Sequence, residues 1–241
     1  MGLVPLGRVK SGMRPKTLDH VALWVADRDT LADFTCRHLG MHVIDRTDDF
    51  TLVGADARRG KLTLFAAEGP RDPGVLERVV LRVSDLERAL EVLPADLEVS
   101  RGGDGVARFD APEGLGLGLV EREGTQVEYD IDHVVLRVPD PDRTREGLGR
   151  LGLSPDGDGR LTVGDKSVAL SRADVTEGEL PLLNHIALLV DSGRDQLDEA
   201  KRRGIEVAEV RDAANTFAVF VWGPDRIKLE YVEHKPTFSL V

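Results

Sequence analysis

The chain has one cysteine, Cys36, in 241 residues. No disulfide can form within it, which fits a reducing compartment. It has no apolar run near the roughly 20 residues a membrane-spanning helix requires. Positive charge is in deficit: 32 Lys and Arg stand against 43 Asp and Glu, a net charge of −11. Such a surface repels nucleic-acid phosphates and anionic lipid, so neither nucleic acid nor membrane is expected as a partner. The glycine-rich stretch Gly114-Leu-Gly-Leu-Gly118 lacks the strand-turn-helix setting of a phosphate loop. Basic residues do cluster in residues 1–16, where Arg8, Lys10, Arg14 and Lys16 occur without an acid. This stretch lacks the apolar centre of a signal peptide. It reads as a mobile arm, or as one that binds a partner or covers a cavity. These features together predict a cytoplasmic protein, and the 41% hydrophobic content is enough for a substantial core.

What the sequence does have is a four-fold internal repeat. Leu18-Asp-His-Val-Ala-Leu-Trp-Val25, Leu76-Glu-Arg-Val-Val-Leu-Arg-Val83, Ile131-Asp-His-Val-Val-Leu-Arg-Val138 and Leu183-Asn-His-Ile-Ala-Leu-Leu-Val190 are alike. A period near 55 residues held over four copies marks repeated structural units. Each copy opens with a β-rich run and breaks at polar residues such as Asp27-Arg28-Asp29 or Asp191-Ser-Gly193. A short helical pattern follows, as at Leu31, Phe34 and His38 or Leu197, Ala200 and Lys201, then three strand-like runs. In the last copy these lie near 205–210, 216–222 and 226–232. The unit is β-α-β-β-β, with exposed sheet edges that a second unit can cover. The expected fold is α+β, four βαβββ modules paired into two cupped-sheet domains. The expected division is a basic arm (1–16), an N-terminal pair without a metal site (17–124) and a C-terminal pair with one (125–241).

Alternation along a strand puts His133, Val135 and Arg137 on one face, and His185, Ala187 and Leu189 on another. Pairing of the third and fourth modules would bring the two histidines together. In the final strand Lys228, Glu230 and Val232 share a face, and a carboxylate among Ile227, Leu229 and Tyr231 is costly unless paired or bound. His133, His185 and Glu230 then make the two-histidine, one-carboxylate facial set typical of Fe(II) oxygenases, with Mn(II) as a substitute.

At these residues the chain resembles the vicinal oxygen chelate superfamily, which includes glyoxalase I, bleomycin-resistance proteins and extradiol ring-cleavage dioxygenases. The resemblance covers residues 17–233 and is greatest to two-domain extradiol enzymes of four βαβββ modules. It implies metal ligands on the first strand of module three and on the first and last strands of module four, which are the positions of His133, His185 and Glu230. It implies no metal in the N-terminal half. There His20 matches His133, but Arg78 stands at the position of His185 and Gly118 at that of Glu230. His20 is expected to be a relic or a buried hydrogen-bonding residue.

Glyoxalase-type sites add a second carboxylate from the paired module, where this chain offers Leu170. Three ligands favour the dioxygenase pattern. Two departures stand against it: no histidine or tyrosine occurs in residues 134–184, and Phe220 occupies the place of a customary tyrosine. A replacement acid/base group is His234, four residues beyond Glu230 and within reach of a bound substrate. Asn215, Thr216, Phe220 and Lys228 are candidate substrate contacts. Trp24 and Trp222 line cavities or pack, Tyr231 belongs to the core, and His38 and His42 are structural. The expected activity is a Fe(II)-dependent extradiol-type dioxygenase using O2 on a catechol or similar vicinal-dioxygen aromatic. The alternatives are a glyoxalase-like lyase, isomerase or hydrolase of the same superfamily, and a non-catalytic small-molecule binding or resistance protein. A homo-oligomer is compatible with each.

Overall fold

The structure, a computed structural model, describes residues 12–175 and 180–238. Arg8 and Lys10 of the basic arm lie outside the described residues. Its base is docked: the Arg14 amide donates to Gln196 Oε1 at 3.0 Å, and Lys16 pairs with Asp191 at 2.7 Å.

The four copies fold as four βαβββ modules. The first has β1 (Thr17–Val25), α1 (Arg28–His38), β2 (His42–Arg46), β3 (Phe50–Asp56) and β4 (Arg59–Ala66). The second has β5 (Leu76–Val83), α2 (Leu86–Glu91), β6 (Ser100–Arg101), β7 (Val106–Asp110) and β8 (Gly116–Glu121). The third has β9 (Asp130–Val138), α3 (Pro141–Arg150), β10 (Ser154–Pro155), β11 (Leu161–Val163) and β12 (Lys166–Arg172). The fourth has β13 (Leu183–Leu189), α4 (Gly193–Arg202), β14 (Val207–Asp212), β15 (Thr216–Trp222) and β16 (Lys228–His234). The polar breaks are helix caps. Asp27, Asp85, Asp140 and Ser192 each accept a backbone N–H of the first turn, which satisfies a donor the helix itself leaves unpaired.

The strands form two eight-stranded sheets. One runs β14-β15-β16-β13-β1-β4-β3-β2 and the other β10-β11-β12-β9-β5-β8-β7-β6. Each sheet joins two modules through an antiparallel pair of first strands, β1 with β13 and β5 with β9. The modules therefore pair one with four and two with three. This corrects the expected division into an N-terminal and a C-terminal pair: half of each sheet comes from each half of the chain. The repeat alone cannot decide the pairing, because the four first strands carry the same apolar alternation and any two bury the same faces.

One continuous apolar core runs across both sheets and the helices. A buried polar link also crosses it. Lys166 Nζ donates to the Asp130 carboxylate at 2.7 Å and to the Leu18 carbonyl at 3.0 Å, and Asp130 accepts the Gly60 amide at 2.8 Å. A buried charge pair of this kind is held only when its hydrogen bonds are made. It fixes module three of one sheet against module one of the other. Tyr231, expected in the core, is fully buried, and its hydroxyl donates to the Leu151 carbonyl at 2.6 Å.

Candidate metal centre

The β1–β13 register sets His20 opposite Ala187 and His185 opposite Ala22, and β16 sets Glu230 beside Ala187. Two rows cross the sheet, Glu230–Ala187–His20–Lys61 and His185–Ala22–Thr63. Both alanines are fully buried. Their short side chains leave room for the flanking donors to converge. His185 Nε2 lies 2.8 Å and His20 Nε2 3.2 Å from Glu230 Oε2, and the two imidazole nitrogens are 3.3 Å apart.

The surroundings fix which nitrogens converge. His20 Nδ1 donates to Asp19 Oδ2 at 2.8 Å, and His185 Nδ1 donates to Asn184 Oδ1 at 3.0 Å. With both Nδ1 protons committed, two imidazole lone pairs and a carboxylate oxygen point at one another. Three electron-rich atoms this close repel unless a cation lies among them. Donors sharing a divalent ion at right angles, with bonds of about 2.1 Å, stand about 3.0 Å apart. The observed spacings bracket that value, so the residues fit a metal. Histidine ligands are held this way by a partner on the other ring nitrogen.

Without metal a proton serves instead. Burial disfavours a charge on His20, but its bonds to Asp19 and Glu230 outweigh this and raise its pKa to about 9. Burial lowers the pKa of His185 and keeps it neutral against the pull of Glu230. Burial would raise the Glu230 carboxyl, yet His185 and His20 hold it well below the usual range. Asp19 is 1% exposed. Burial would raise its pKa too, but Lys61, His20 and His234 hold it well below that range. Lys61 Nζ lies 2.8 Å and His234 Nε2 3.2 Å from its two oxygens.

The three donors open onto a cavity of about 360 Å³. Phe50, Leu52 and Phe65 form one wall; Phe220 meets the His185 ring edge-on at 5.1 Å. His234 lines it, stacked on Phe238 at 4.1 Å, and Asn215 and Thr216 line it too. Lys228 does not line this cavity. It faces a neighbouring one with Trp24 and Trp222.

The structure thus brings His185 and Glu230 together with His20, and among the described residues these three form the metal-type cluster. His133 is not among them, and the expectation that it is a ligand is corrected. It lies on β9 in the other sheet, with Nδ1 2.7 Å from Asp132. His20 is hydrogen-bonded to Asp19, as one of its two expected roles had it, and also stands with His185 and Glu230. In the second sheet the equivalent rows read Gly118–Val80–His133–Ser167 and Arg78–Val135–Ala169. Valines replace the alanines, Gly118 replaces Glu230, and Arg78 donates to the Phe109 and Leu117 carbonyls at 3.0 and 2.7 Å. A guanidinium there repels a cation. The corner equivalent to Glu230 within the site's own sheet is Thr63, not Leu170 of module three. Asp19, Lys61 and Thr63 escaped the sequence reading. Asp19 and Asp132 both precede a strand histidine, and that repeated Asp-His pair was the available signal. His38 Nδ1 donates to the Val92 carbonyl at the end of α2, 2.7 Å away, as a structural residue would.

Residues 17–102 match the Glyoxalase/Bleomycin resistance protein/Dioxygenase superfamily. None of the curated proteins matches the chain. Among solved structures, a provisionally named dioxygenase from Bacillus subtilis superposes with a TM-score of 0.75 at 21% identity, covering 94% of this chain and 88% of that one. Glyoxalase I from Zea mays gives 0.69 at 18% identity, with 90% and 92% covered. The cppA protein of Streptococcus pneumoniae gives 0.64 at 14% identity, with 91% and 98% covered. These likenesses are of fold, and they take in all four modules. No helix of the described residues is long and apolar enough to cross a membrane. The match to the Glyoxalase/Bleomycin resistance protein/Dioxygenase superfamily thus covers module one and most of module two, and over the whole chain the solved structures share this fold of paired cupped sheets.

Proposed function

We propose that the protein is a metal-dependent oxygenase of the extradiol type, acting on a catechol or similar aromatic with two vicinal oxygens. His20, His185 and Glu230 hold the ion, Fe(II) by preference and Mn(II) as substitute. The observation that carries the reading is the convergence of three lone-pair donors with Thr63, rather than a second carboxylate, at the fourth corner. A facial set of three leaves open positions for a chelating substrate and O2. When bound, the ion supplies Lewis acidity that lowers a substrate hydroxyl pKa, and electron transfer to dioxygen.

The chain's own residues do the rest. Phe50, Phe65 and Phe220 offer flat apolar surface to an aromatic ring, and Asn215 and Thr216 offer polar contacts. His234, held by Asp19 and stacked on Phe238, is the group placed to take and return a substrate proton. Ring cleavage places both atoms of O2 in the product and needs no external reductant.

One observation favours a second reading. Phe220 carries no hydroxyl, while Lys61, Asp19 and His234 form a buried chain of proton-carrying groups beside the site. Such a chain suits a lyase or isomerase that moves protons without O2.

The test is metal analysis of protein purified anaerobically. About one iron or manganese per chain is expected. It should be lost in His20→Ala and Glu230→Ala and kept in His133→Ala. A metal-free protein that Fe(II) cannot reconstitute overturns both readings. Oxygen uptake with catechols then separates them: uptake supports the oxygenase, and its absence in the loaded protein leaves the proton-transfer reading.

A further inference from the structure

A second cavity, of about 240 Å³, is lined by Asn184, the residue hydrogen-bonded to His185 Nδ1. Its walls include Trp24, Trp222, Leu183, Asn184, Arg226 and Lys228. At ~30 Å³ per water it has the volume of about eight waters, enough for a one-ring molecule.

The internal pseudo-symmetry shows what this cavity lacks. β1 corresponds to β13 and β4 to β16, so Asp19 corresponds to Asn184 and Lys61 to Lys228. In module one the lysine is neutralised by the aspartate at 2.8 Å. In module four the aspartate is replaced by a neutral amide. Among the described residues neither Lys228 nor Arg226 forms an ion pair with a carboxylate. Both cations rest on aromatic faces instead: Arg226 stands 4.3 Å over Trp222, and Lys228 5.7 Å from Trp222 and 5.8 Å from Phe220. The acid in the wall, Asp225, is already committed to Arg143 at 2.5 Å and to Thr144.

The backbone points the same way. Asp225 and Arg226 have φ of 51° and 57°, in the left-handed region that side chains disfavour. The equivalent turn of module two is Glu113-Gly114, with φ of 63° and 70°, where glycine takes the second position without strain. Module four keeps an arginine there, held over Trp222. Strain retained at one copy of a repeated turn, and relieved at another, marks a position kept for its side chain.

We propose that this cavity is a binding site for an aromatic carboxylate. Its carboxylate meets Lys228 and Arg226, taking toward Lys228 the place that Asp19 has toward Lys61, and its ring packs between Trp24 and Trp222. The site requires neither metal nor O2. It borders the metal centre through Asn184, which accepts from His185 Nδ1.

Trp24 and Trp222 are the chain's two tryptophans, so intrinsic fluorescence reports on this cavity. Metal-free protein titrated with benzoate should show saturable quenching at sub-millimolar concentration, and benzyl alcohol should not. Arg226→Gly restores the residue type the turn prefers and should fold with unchanged or higher Tm, yet bind benzoate about tenfold more weakly. Lys228→Met should do the same, and His20→Ala should bind like the parent. Three results would overturn the proposal: no saturable response, an equal response to benzyl alcohol, or binding lost in His20→Ala but kept in Arg226→Gly. None of these bears on metal content, so the proposed activity stands or falls separately.

Discussion

The metal-free site holds one proton that a metal must displace, and this sets a measurable pH dependence. The proton is on His20, whose pKa is raised to about 9 by Asp19 and Glu230 against the effect of burial. His185 is shifted down and Glu230 is held low, so neither adds a second proton near neutrality. Apparent metal affinity should therefore rise about tenfold per pH unit from pH ~6 to ~8.5 and level off above ~9, because a ligand must be deprotonated to bind. At pH ~7 the competition amounts to about 100-fold, or about 2.7 kcal/mol. The assay is a Mn(II) titration against a chelator of known affinity across this range. Calorimetry in two buffers of different ionisation enthalpy should count about one proton released at pH ~7.

The same proton stabilises the metal-free fold. His20 is raised above its ordinary 6.5, so its contribution is complete below pH 6.5 and is lost as pH rises through about 9. That contribution is about 3 kcal/mol. Metal-free protein should unfold more easily at pH ~10 than at pH ~6, and metal should remove most of the difference. A flat affinity profile, or a slope of two protons, would refute the reasoning, since it would mean that His20 is neutral or that a second ligand is protonated.

Three further outcomes follow from the geometry. His234→Gln should keep its metal but lower turnover by about 10²–10⁴-fold, the usual contribution of a positioned acid/base group; unchanged turnover would remove His234 from the chemistry. Lys61→Met takes the lysine from buried Asp19 and leaves it His20 and His234 as partners; it should cost about 1–3 kcal/mol in urea unfolding, with much of the loss recovered when Asp19→Asn is added. Gly116→Ala places a methyl 2.3 Å from the Glu77 carbonyl oxygen, a backbone atom that cannot swing aside; a loss of about 1–3 kcal/mol is expected, and a neutral result would mean that β5 and β8 can separate at that point.

The repeat made the modules legible. The predicted runs 216–222 and 226–232 correspond to β15 (Thr216–Trp222) and β16 (Lys228–His234), and the polar breaks became helix caps. What periodicity could not supply was the pairing. Leu18-Asp-His-Val and Ile131-Asp-His-Val are equivalent by pattern, so His20 and His133 were equal candidates to stand beside His185. The residue two places on distinguishes them. Ala22 and Ala187 follow the histidines that converge, and Val135 follows the one that does not. A small residue under converging donors is a steric requirement, and it is written in the sequence. Asp19 and Lys61 were harder to find. They are recognisable as a buried pair only after β1 and β4 are placed side by side.

The working cup is a symmetric frame made asymmetric at a few positions, and those substitutions divide the chemistry. Its two histidines are equivalent. Beyond them, Glu230 answers to Thr63, so the triad has one carboxylate and an open corner. Asp19 answers to Asn184, so one histidine carries the site's proton and the other stays neutral. Lys61 answers to Lys228, one neutralised from within and the other left to an aromatic face. The second cup shows the opposite course. With Gly118 at the carboxylate corner, Arg78 at a histidine position and valines beneath, it supplies its own cation and fills its own space. The two sheets share strand order and register, so the fold does not separate a metal-type site from a filled one. A handful of side chains at equivalent corners does, through their charge and their volume.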